Sequence, residues 1–122
     1  MGYQVIDPST LDADAEHPST RRSITEAAGL TNLALAVYEL EPGEPLSTDY
    51  HYHEQREEAF YVLDGELHVE TPERDYAVRS GEVFVVEPDS PIRPYNPADA
   101  DGSVSVVGIG APLYDVGRPY EA

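Results

Sequence analysis

Two imidazoles and a carboxylate stand close together in the stretch His51-Tyr52-His53-Glu54-Gln55-Arg56-Glu57-Glu58. On a strand, His51 and His53 are two apart, so their side chains leave the same face. A carboxylate that follows a short turn onto the next strand can meet them around one cation. A two-His-one-carboxylate set of this kind suits Fe, Mn, Ni, Zn or Cu. Glu58 shares parity with Phe60 and Val62, which belong inside, and Glu57 then faces outward. A bulge between His53 and Glu58 exchanges the two. An isolated His-x-His pair is more often a pair of surface histidines in a polar loop. Here a strand, Phe60-Tyr61-Val62-Leu63, follows at once and ends in Asp64-Gly65.

The elements that must position these residues are short and β-like. Apolar or alternating runs occur at 33–40, 50–53, 59–63, 66–71, 76–78, 83–86, 92–95 and 104–109. Turn formers divide nearly all of them: Glu41-Pro42-Gly43, Asp64-Gly65, Thr71-Pro72-Glu73, Ser80-Gly81 and Glu87-Pro88-Asp89. Gly65 adopts positive φ at little cost, as a tight hairpin at Asp64-Gly65 requires. No segment keeps a helical period over three turns, and a single helical turn is expected around Thr25–Ala28, closed by Gly29. Residues 7–20 carry two prolines and few large apolar side chains, so they read as an extended arm. Short strands with regular turn signals describe one small antiparallel β domain.

The pattern resembles the cupin superfamily. That family's first motif is Gly, a spacer, His-x-His, three or four residues, Glu, six residues and Gly. Gly43, His51, His53, Glu58 and Gly65 match it, with a seven-residue spacer after Gly43. The second motif, Gly, five residues, Pro-x-Gly, two residues, His, three residues and Asn, is altered. Six residues separate Gly81 from Pro88, Ser90 replaces the Gly, and Asn96 comes one residue early. Arg93 stands where the fourth metal ligand, a His, is expected, and guanidinium offers a metal no lone pair.

The resemblance implies an all-β fold, a double-stranded β-helix (jelly-roll) barrel over residues 31–115. An N-terminal arm, 1–30, would be dimer-crossing or partly disordered, and a C-terminal tail would span 116–122. It implies a divalent transition metal on His51, His53 and Glu58, and a small anionic or sugar-like ligand near Arg93, with Tyr95 at the pocket mouth. Alternatively the pocket is metal-free, with Arg93 paired to Glu58, and only binds a small molecule. Members include dioxygenases, decarboxylases, isomerases, epimerases, lyases and ligand sensors, so the fold does not fix a reaction. Small members commonly pair, and a homodimer is expected.

Composition narrows the partners. The 122 residues hold 24 Asp and Glu against 7 basic residues, all Arg, for a formal net charge of −17. Such a chain repels nucleic acid and anionic lipid. No apolar run reaches the roughly 18 residues of a spanning helix. Cysteine is absent, which excludes disulfides and thiolate ligands. No leader pattern is visible, so a cytoplasmic location is expected. The acids are scattered from Asp7 to Glu121, a surface that resembles those of halophilic proteins, where concentrated salt screens the repulsion. His68 has Leu67 and Val69 at opposite parity and reads as an exposed strand histidine, and His17 as a solvated one.

Overall fold

A computed structural model describes residues 2–121. Ten strands run in chain order: β1 (Thr20–Ser23), β2 (Ala34–Leu40), β3 (His51–His53), β4 (Glu57–Asp64), β5 (Glu66–Glu70), β6 (Asp75–Arg79), β7 (Val83–Val86), β8 (Arg93–Tyr95), β9 (Val104–Ala111) and β10 (Gly117–Pro119). Helix α1 (Ile24–Ala28) is one turn. Ser23 caps it by accepting from Glu26 N, and Gly29 closes it at φ 68°, the left-handed conformation that glycine tolerates. All pairings are antiparallel. One sheet has the order β1-β2-β9-β4-β7, and a second has β6-β5-β8, with β3-β10 alongside. His51 and Ile92 exchange both backbone hydrogen bonds, N to O at 3.2 and 2.9 Å, so β3 and β10 extend the second sheet beside β8. The jelly-roll expectation holds.

The core lies between the two sheets. Alternation decides which residues enter it: Phe60 and Val62 of β4, Leu67 and Val69 of β5, Val104 and Val106 of β9, and Val86 of β7 are buried. Asn96 is also buried; its Nδ2 donates to Leu40 O at 3.0 Å and Gly102 O at 2.9 Å. Those bonds tie the loop after β8 to the ends of β2 and β9.

Three sequence expectations need correction. Gly65 does have positive φ, 85°, but β4 and β5 belong to different sheets, so Asp64-Gly65 is a corner and no hairpin forms there. A bulge between Val62 and Asp64 turns the strand, and a Cβ at Gly65 would lie 2.7 Å from Ser103 O. Within the segment read as an arm, Thr20–Ser23 pairs with β2 of the same chain. His17 is half-buried, its ring 5.7 Å from that of Tyr38.

Candidate metal centre

β3 carries His51 and His53, and Tyr52 between them points outward beside Arg118. β4 begins with Glu57, which is exposed, and turns Glu58 inward with Phe60 and Val62. One ligand atom from each of His51, His53 and Glu58 lies within 4.8 Å of the others. These three residues could hold a metal ion. The choice between Glu57 and Glu58 falls on Glu58, as parity requires.

The donor set fits a divalent transition metal in more than residue type. His51 Nδ1 stands 2.9 Å from Asp49 O. A carbonyl only accepts, so that nitrogen carries the proton and Nε2 keeps its lone pair. His53 Nδ1 is buried with no hydrogen-bond partner and faces Asp115 Oδ2 at 3.9 Å. Its Nε2 lies 3.5 Å from Arg56 Nη1. Burial first, then the charges of Arg56 and His51, lowers the His53 pKa to about 4, against a smaller opposing effect of Asp115. The ring is therefore neutral at neutral pH, and its Nε2 ligates a metal by giving up the contact with Arg56 Nη1. Burial raises the Glu58 pKa, and His51 and Arg56 offset part of that rise. A carboxylate short of solvation is one that a cation stabilises.

Two residues absent from the sequence-based site complete its surroundings. Arg56 shares parity with Glu58, and its side chain crosses Gly110, where a Cβ would lie 2.8 Å from Arg56 Cδ. Its Nε donates to Pro112 O and one Nη to Leu113 O, which leaves further N–H groups for a ligand. Asp115 accepts from the backbone N–H groups of Gln55 and Arg56 at 2.9 and 2.8 Å. Burial pushes its carboxyl up, but those bonds, one from Val116 and the nearby His53 hold it below its ordinary pKa. Gly117 of β10 sits opposite His53 and makes room for the ring, since a Cβ there would lie 3.3 Å from His53 Cε1.

Arg93 and Tyr95 are elsewhere. Pro94, between them, is buried, so both side chains leave the outer face of the second sheet. Arg93 Nε donates to Glu70 Oε1 at 2.7 Å, and its guanidinium lies over the Tyr95 ring. It makes no pair with Glu58. The residue that faces the site from this strand is Ile92, the cross-strand partner of His51, and it is buried. Counted back from Asn96, Ile92 occupies the place of the fourth ligand, and the extra residue after Gly81 explains the frame. His68 also faces outward, 3.3 Å from Glu66, and Tyr114 is exposed.

A cleft of about 520 Å³ opens between β7 and the turn after β5, lined by Tyr76, Phe84, Val86, Pro91 and Ile92 among others. Val86 is the cross-strand partner of Glu58, but none of the three candidate ligands lines this cleft. A smaller cavity of about 70 Å³ is lined by Glu58 itself, with Arg56, Arg21 and Tyr38. Among the described residues no helix is long and apolar enough to cross a membrane.

Comparison with known proteins agrees with this architecture. A family profile described as "Cupin domain" matches residues 36–108. No curated protein matches the chain. Among solved structures, a sugar phosphate isomerase from a cupin superfamily of Silicibacter pomeroyi DSS-3 superposes with TM-score 0.80 at 16% identity, over 98% of this chain and 83% of that one. The polyketide cyclase RemF from Streptomyces resistomycificus gives TM-score 0.80 at 20% identity, over 98% and 87%. A candidate sugar phosphate isomerase from Acidithiobacillus ferrooxidans ATCC 23270 is 28% identical with TM-score 0.69, over 82% of this chain and 64% of that one. The first two likenesses show the fold alone, and the match to the third spans less than two thirds of its length.

Proposed function

The chain belongs to the cupin domain family, and we propose that it is a metal-dependent enzyme acting on a small, negatively charged hydroxy compound. The observation that carries this reading is the convergence of His51, His53 and Glu58 within 4.8 Å, beside the guanidinium of Arg56. A divalent metal held there supplies Lewis-acid polarisation of a substrate hydroxyl or carbonyl. Asp49 O holds the His51 ring by a hydrogen bond, and the Asp115 carboxylate faces the His53 ring at 3.9 Å, the outer partners that orient metal-binding imidazoles. Arg56 takes the anionic end of the substrate through its remaining N–H groups, the role that the outward-facing Arg93 does not fill.

Charge favours the same assignment. A guanidinium close to a dication costs on the order of several kcal/mol at an effective dielectric near 20, and an anion lying between them offsets that cost. Glu58 and Arg56 line one small cavity together with Phe60 and Tyr38, so a candidate metal ligand and the anion-binding group share one space. Ile92 in place of a fourth ligand leaves coordination positions for substrate and water. The 28% identical neighbour named as a candidate sugar phosphate isomerase makes a phosphorylated sugar the first ligand to try.

The test is elemental analysis of protein purified in high salt without a metal-binding tag, beside His51→Ala/His53→Ala and Arg56→Ala. The expected result is a near-stoichiometric divalent transition metal that the double histidine variant loses and the arginine variant keeps. Arg56→Ala should weaken calorimetrically measured binding of a sugar phosphate by about ten- to a hundredfold, the scale of one charge-assisted hydrogen bond. Metal absent from all three proteins and not restored by soaking would transfer the function to metal-free ligand binding.

A further inference from the structure

The cleft of about 520 Å³ between β7 and the turn after β5 stands apart from the metal centre, since none of His51, His53 and Glu58 lines it. Its volume is that of a small-molecule site. The floor is apolar: Val86 and Ile92 are buried, and Tyr76 meets Phe84 edge to face with ring centroids 5.2 Å apart. Both rings are half-buried. The rim has one sign of charge. Glu73, Glu87 and Asp89 lie on it, and no basic residue lines the cleft. All three carboxylates are exposed. Among the described residues none of them has an arginine partner; the acids that do are Asp14, Glu54, Glu66 and Glu70. Two bonds fix the rim. The Thr71 hydroxyl donates to Arg74 O across the turn after β5, and Asp89 N donates to His53 O at 2.8 Å.

The Tyr76 ring already holds a cation. The Arg74 guanidinium lies 4.5 Å from its centroid, the geometry of a cation–π contact. Arg74 is exposed and has no carboxylate partner among the described residues, unlike Arg21, Arg79, Arg93 and Arg118. Another cation can therefore take its place over the ring at little cost. We propose that this cleft binds a small organic cation, an apolar body that carries an ammonium or quaternary ammonium group. The apolar part lies on Phe84, Val86 and Ile92, and the charge lies over Tyr76 within the field of the three rim carboxylates. Charge selects this occupant over the others. An anion meets three carboxylates and no base, and a neutral apolar molecule gains nothing from the rim and cannot replace Arg74. The proposal does not rest on the metal reading, which places an anion beside Arg56 in a different space.

Titration calorimetry of the full chain at one ionic strength, with three probes of similar shape, tests the proposal: phenethylammonium, 2-phenylethanol and phenylacetate. The ammonium should bind, the alcohol should bind about tenfold or more weakly, and the carboxylate should not bind. Tyr76→Leu keeps an apolar floor and should weaken the ammonium about five- to thirtyfold, the scale of a cation–π contact. Glu73→Gln/Glu87→Gln changes exposed positions that leave the fold intact, and should weaken it as well. Arg74→Ala removes the competing guanidinium and should tighten it. Asp12→Asn/Glu16→Asn removes the same charge from the N-terminal segment and should leave the affinity as it is. No binding of the ammonium, or equal affinity for the three probes, overturns the proposal. So does an ammonium affinity that Tyr76→Leu leaves unchanged, or that the N-terminal variant lowers as much as the rim variant, because the acidic surface at large then holds the cation.

Discussion

His53 shows how burial and chemistry coincide in one side chain. Its pKa of about 4 lies below the 6.5 of an ordinary imidazole. Between those values the unfolded chain holds a proton on this ring that the folded chain does not. The metal-free protein must therefore lose stability as pH falls from 6.5 towards 4, with no contribution to the slope from this group outside that window. Urea denaturation of wild type and His53→Gln across pH 4–7 isolates the effect, because Glu58 and the other carboxylates titrate in both proteins. The stability of wild type relative to His53→Gln should fall steadily toward acid, and a pH-independent difference would show that the ring takes up its proton at the same pH in the folded and unfolded chains. At this scale most of the site was legible. His-x-His and Glu58 could be read from parity, and Arg56 sits in the same motif at the same parity, although Arg93 is the more conspicuous arginine. The early Asn96 was the signal that the second motif is read one residue out of frame.

The elements that hold the site were legible where alternation is strong and hidden where it is not. Eight strands stand out because apolar residues recur at every second position. β1 (Thr-Arg-Arg-Ser) and β10 (Gly-Arg-Pro) carry no such signal, being short and largely polar, and only tertiary pairing makes them strands. The same blindness hid Asp115, which reaches the site because β10 folds back on β3. That return brings the C-terminal segment into the site. The Asp115 carboxylate anchors the turn between His53 and Glu58 through two backbone N–H groups and faces the His53 ring. Asp115→Asn keeps the shape and one acceptor but removes the charge that faces His53 Nδ1 at 3.9 Å. Metal affinity measured by competition with a chelator should fall about ten- to a hundredfold, the usual cost of losing an outer partner of a metal ligand. Retained affinity would mean that the segment only packs against the turn.

For the whole molecule the dominant quantity is the excess of 17 negative charges. Arginine answers few of them: the ion pairs with Asp14, Glu54, Glu66 and Glu70 leave most carboxylates without a cation. Exposed pairs of this kind contribute no more than about 1 kcal/mol each, so they do not balance the repulsion. Salt does. The screening length falls from about 30 Å at 0.01 M to about 10 Å at 0.1 M and about 3 Å at 1 M, a range that crosses the spacing between neighbouring surface acids. The thermal midpoint should therefore climb steeply between dilute buffer and molar KCl. Lowering the pH towards 4.5 in dilute buffer, where carboxylates begin to gain protons, should recover part of the same gain. Differential scanning calorimetry of His53→Gln under both conditions keeps the opposing His53 contribution out of the comparison. A midpoint that ignores KCl would mean that the acids are too far apart to destabilise the fold, and the resemblance to halophilic surfaces would then carry no physical consequence. A rise with KCl but none with protonation would trace the gain to stronger apolar burial in concentrated salt and leave charge repulsion without a role.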